Sequence, residues 1–134
     1  MTKNIHTSIE LHLYDLFDHT KFELSELNQS KHLVINGPDS QLIKRGLDIS
    51  HLQGQKRAID HIDTILKSYP DEQDLISNFN EFATKVLNDY DISSQKFKML
   101  EQPPTDYEEI LAHHYTLMGQ KCIIDSINTT ILNK

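Results

Sequence analysis

Eight histidines are the most unusual feature of this chain, because imidazole binds metals and titrates near neutral pH. In helical bundles, metal sites combine histidines with carboxylates that are spaced three or four residues apart on facing helices. Asp48-x-x-His51 and Glu109-x-x-x-His113 have such spacings. Because no Glu-x-x-His motif occurs twice, a symmetric two-metal site is not predicted. A single metal site would draw on the following residues: His12, His19, Asp48, His51 and His113.

Residues for nucleophilic catalysis are poorly placed. The single cysteine, Cys122, lies in the apolar run Cys122-Ile123-Ile124, which predicts a buried and inert thiol. His113 and His114 precede it by roughly two helical turns, too far for a direct pair. The sequence also lacks a glycine-rich phosphate loop, Gly-x-Ser-x-Gly and His-Glu-x-x-His. We therefore expect a protein that is not an enzyme and that uses no cofactor.

Length and composition predict one domain over residues 1–134, since 37% of the residues are apolar and a single modest core is possible. The net charge is −7, and the half after Lys67 carries eleven acidic but only five basic residues. This field disfavours direct nucleic-acid binding. The longest apolar runs have three residues, and no secretory signal is visible, so we expect no membrane contact. The expected location is the cytoplasm, or a virion if the protein is viral.

Four helices position these residues. The spacing of apolar residues and the capping signals, such as Thr7-x-x-Glu10, predict where they begin and end. The predicted helices span residues 7–27, 40–67, 70–90 and 106–131. Connectors are predicted over residues 28–39 and 91–104. Within or beside them, the segments 33–35 and 97–100 could be helical ends or a short paired ribbon.

An eleven-residue motif occurs twice in the chain. Residues 52–62 (LQGQKRAIDHI) align without gaps on residues 117–127 (LMGQKCIIDSI), with seven identities. The same offset pairs Phe17 with Phe82. Since this offset is close to half the chain length, we interpret the pattern as a tandem duplication. Repeat one covers residues 1–67 and repeat two covers residues 68–134.

Two tandem hairpins predict an all-α, four-helix bundle with approximate two-fold symmetry, because one hairpin cannot bury its apolar face alone. Glycine inside a helix costs ~1 kcal/mol relative to alanine, yet it recurs at Gly54 and Gly119. We expect these glycines to mark a helix crossing, either within one chain or with a partner. The adjacent Gln55 and Gln120 could hydrogen-bond across it or lie on the helix surface. A spacing of four residues also predicts two surface ion pairs, Lys56–Asp60 and Lys121–Asp125.

The repeated Leu-x-Gly-Gln-Lys-x-x-Ile-Asp-x-Ile motif resembles small helical accessory proteins in the structural modules of tailed bacteriophages. Those proteins often carry a proline-led cap, a long helix, and Gly-Gln followed by spaced aliphatic residues. Here residues 103–107 (PPTDY) lead into 117–121 (LMGQK), echoed by 38–40 (PDS) leading into 52–56 (LQGQK). The resemblance implies a binding role within a particle or its assembly, without an active site.

These observations favour a non-enzymatic helical protein that binds protein partners, either itself or a larger assembly such as a phage virion. Two alternatives remain open. One is a helical bundle that binds a metal or a small ligand through its histidines. The other is an acidic regulator or inhibitor that places its acidic second half against a basic protein surface.

Overall fold

The computed structural model describes residues 4–29, 39–99 and 107–132, and four α-helices pack together in it. The helices are α1 (Ile5–Asn28), α2 (Asp39–Ser68), α3 (Glu72–Lys98) and α4 (Tyr107–Leu132). The predicted all-α four-helix bundle is thus confirmed. Residues 30–38 of the first predicted connector, which include the segment 33–35, and residues 100–104 of the second lie outside the described residues. Among the helices described here, none is both long and apolar enough to cross a membrane.

Three predicted helix boundaries are wrong. α1 begins ahead of Thr7, because the side chain of Asn4 accepts a hydrogen bond from the backbone N–H of His6 at 2.9 Å and caps the helix. α3 begins at Glu72 rather than at Pro70, because the side chain of Asp71 accepts a hydrogen bond from the backbone N–H of Asp74 and caps the helix, and α3 continues to Lys98. Residues 91–98 are therefore helical and not part of a connector. The predicted connector began too early, since this stretch contains neither proline nor glycine to end the helix.

The hydrophobic core occupies one part of the bundle only. Its fifteen buried residues lie in the N-terminal parts of α1 and α3 and in the C-terminal halves of α2 and α4, which antiparallel hairpins bring to the same end. They are Ile5, Ile9 and Leu13 of α1; Ala58, Ile59, Ile62, Ile65 and Leu66 of α2; Leu75, Phe79, Ala83 and Val86 of α3; and Ile123, Ile124 and Ile127 of α4. We call this part, residues 5–19, 54–86 and 119–132, the core half.

The pair formed by α2 and α4 has the most extensive contact in the bundle. The contacts advance together along both helices, from Ser50 with Thr116 to Gln55 with Cys122, so the two helices run parallel. α1 packs mainly on α2 and α3 mainly on α4. The bundle is therefore built around a central parallel pair, with one helix flanking each of its members.

Candidate functional site

The two repeated glycines lie where α2 and α4 cross. A Cβ atom on Gly54 would overlap the backbone carbonyl oxygen of Thr116, and one on Gly119 would overlap the carbonyl oxygen of His51. Both glycines are buried. Only a residue without a side chain lets the two backbones approach so closely.

The contacts at the crossing are reciprocal. Each glycine touches the residue that lies three positions before the other glycine, and the offset of the repeat relates His51 to Thr116 as it relates Gly54 to Gly119. A two-fold axis between α2 and α4 would produce this pairing. The ion pairs Lys56–Asp60 and Lys121–Asp125, both 2.8 Å long, also match between the two copies of the motif. Symmetry of the complete hairpins and their common origin stay predictions.

Gln55 links three helices beside the crossing. Its Oε1 accepts a hydrogen bond from the hydroxyl of Thr20 in α1 at 2.9 Å, and its Nε2 donates to the Sγ of Cys122 in α4 at 3.6 Å. Gln120 is half-buried and has no equivalent bond within the described part of the chain. The two repeated glutamines thus differ in their contacts.

The prediction of a buried Cys122 is wrong, because this thiol is exposed. Ile123 and Ile124 are buried, and Ile127 continues their face one turn later. At about 100° of rotation per residue, Cys122 therefore falls on the flank of α4 rather than on its buried face. A run of three apolar residues is too short to show this by itself.

Beyond the crossing, the described residues of the two hairpins bury few aliphatic side chains. We call these parts arm 1 (residues 20–29 and 41–53) and arm 2 (residues 87–99 and 107–118). The buried side chains here include two hydroxyl residues, Thr20 and Ser93. The buried aliphatic residues described in the arms are Ile110 and Leu117, both in arm 2. Apolar side chains such as Leu24, Leu42 and Leu111 are only half-buried.

An aromatic cluster around His114 stabilises arm 2. The centroid of the His114 ring lies 5.4 Å from the centroid of the Tyr90 ring and 4.8 Å from that of the Phe97 ring. Its Nδ1 is hydrogen-bonded to the hydroxyl of Ser93 at 2.8 Å. Burial lowers the pKa of His114, and the neighbouring His113 lowers it further. The cluster therefore favours a neutral imidazole, which suits a structural role at neutral pH.

Three of the five candidate metal ligands line one cleft between α1 and α2, where arm 1 meets the core half: His19, Asp48 and His51, together with Glu23. Burial lowers the pKa of His51, and the carboxylate of Asp48 opposes the shift.

Two of these candidates already have partners. His19 is 3.4 Å from Glu23, and Asp48 is 2.6 Å from Lys44. The other two candidates lie elsewhere: His12 is hydrogen-bonded to Ser126 at 2.6 Å, and His113 is exposed and lines a second cleft, between α3 and α4. Across the described ranges, no three metal-ligating side chains are grouped closely enough to hold an ion. The metal site stays a prediction without support from the geometry.

Sequence periodicity missed the exposed apolar residues of the arms, which lie off the predicted apolar faces. Phe22 and Ile43 in arm 1 are each 61% exposed, and Ile92 and Met99 in arm 2 are 59% and 80% exposed. Large apolar residues that fall outside a helix's buried face are the signal that could have identified them. No family model, curated protein or solved structure matches this chain.

Proposed function

We propose that this protein is a non-catalytic helical interaction protein, which binds protein partners through its two arms. The observation that supports the proposal is the unequal packing of the bundle. One half holds a complete aliphatic core, whereas the apolar side chains of the arms stay partly open to solvent. All four helices contribute buried side chains to the core of that half.

The arms are suited to binding a protein. Four of the seven large apolar side chains that are exposed within the described residues lie on them, and the arms also carry half-buried leucines such as Leu24, Leu42 and Leu111. Apolar and aromatic residues of this kind form the centre of protein interfaces, and charged residues form the rim. Lys44, Arg45, Glu108 and Glu109 provide charges at the start of α2 and α4.

The polar pair in arm 2 favours a structural over a catalytic role. Ser93 is only 7% exposed and its hydroxyl is already hydrogen-bonded to His114, whose ring packs against those of Tyr90 and Phe97. The repeated motif similarly serves the packing of the chain itself, since its glycines lie at the crossing and its isoleucines lie in the core.

We further propose that the larger assembly is a particle of the tailed-phage type or an assembly intermediate of one. This part rests on the resemblance of the repeated Gly-Gln motif to helical accessory proteins of such phages. The acidic, largely helical chain is compatible with a small accessory subunit.

Site-specific photo-crosslinking in producing cells tests the proposal. A benzophenone amino acid replaces Phe22 or Ile92 in the arms, and the matched control replaces Tyr14, which is 68% exposed on the core half. We expect protein adducts from both arm positions and few from position 14. Equal labelling at all three positions, or none on the arms, would contradict binding through the arms. Adduct masses separate a second copy of this chain from a foreign protein.

A further inference from the structure

We draw no further inference here: the strongest candidate, the exposed apolar surface of the two arms that carries Phe22, Ile43, Ile92 and Met99, belongs to the binding face already proposed, and nothing in the structure shows what covers it.

Discussion

Replacing Gly54 by alanine tests the helix crossing on which the bundle depends. The added methyl group would overlap the carbonyl oxygen of Thr116 and lie 2.8 Å from its carbonyl carbon. Ordinary carbon contacts lie at about 3.5–4.0 Å, so α2 and α4 must separate by about 1 Å. The obstacle is backbone in the middle of a helix, which cannot rotate away as a side chain could. The packing of Ile59 and Ile124 immediately beyond the crossing would loosen with it.

Two opposing effects decide the result. Alanine favours the helix by ~1 kcal/mol, while overpacking typically costs about 1–3 kcal/mol and backbone overlap belongs at the upper end. We expect G54A to lower the free energy of unfolding by roughly 2 kcal/mol in urea titrations. At Gly46, in the same helix, an added methyl group would have nothing within 4 Å. The matched control G46A should therefore raise stability by up to ~1 kcal/mol. A gain in stability for G54A equal to that of G46A would refute the close crossing.

Three further predictions concern side chains. Because burial lowers the pKa of His51 and of His114, the unfolded chain protonates first as the pH falls. The free energy of unfolding should have its full value above about pH 7 and decrease as the pH falls below about 6.5. In urea titrations at about pH 7.5 and 5.5, the double variant H51Q/H114Q should show a smaller decrease between the two pH values than the wild type. T20V removes the hydroxyl that donates to Gln55 and should cost about 1 kcal/mol by thermal unfolding; no change would show that water replaces it. K121A breaks an exposed ion pair and should change the unfolding free energy by less than about 0.5 kcal/mol in the same measurement.

The fold could be predicted from the sequence because the sequence patterns that specify the helices are local. Apolar residues at helical spacing, the caps and the internal repeat are sufficient to predict four helices. The predicted helix boundaries failed where local signals compete. The capping box at Thr7 was outweighed by the Asn4 cap, and the polar residues at 91–95 did not end α3. Propensity alone does not end a helix that packs against its neighbour.

The candidate site could be predicted only in part from the sequence. Glycines in helix interiors identified the residues of the crossing, because a glycine there lowers helix stability and its presence needs a structural reason. The arms could not be predicted in the same way, because periodicity describes the apolar face of each helix but not where packing between hairpins stops. Leu24 and Leu42 follow the same periodic pattern as Ile9 and Ile59, yet they are only half-buried. The flank position of Cys122 likewise depends on the rotation of α4 against α2, which a run of three residues does not reveal.

Amide hydrogen exchange along the purified chain tests the central claim most directly, namely that a packed core half is joined to open arms. Exchange reports the local free energy of opening, and well-packed segments open least. We predict slow exchange over residues 58–66 and 123–127, and exchange at least about tenfold faster over residues 41–50 and 107–113. Uniform protection along α2 and α4, or stronger protection in the arms than in the core half, would contradict the account.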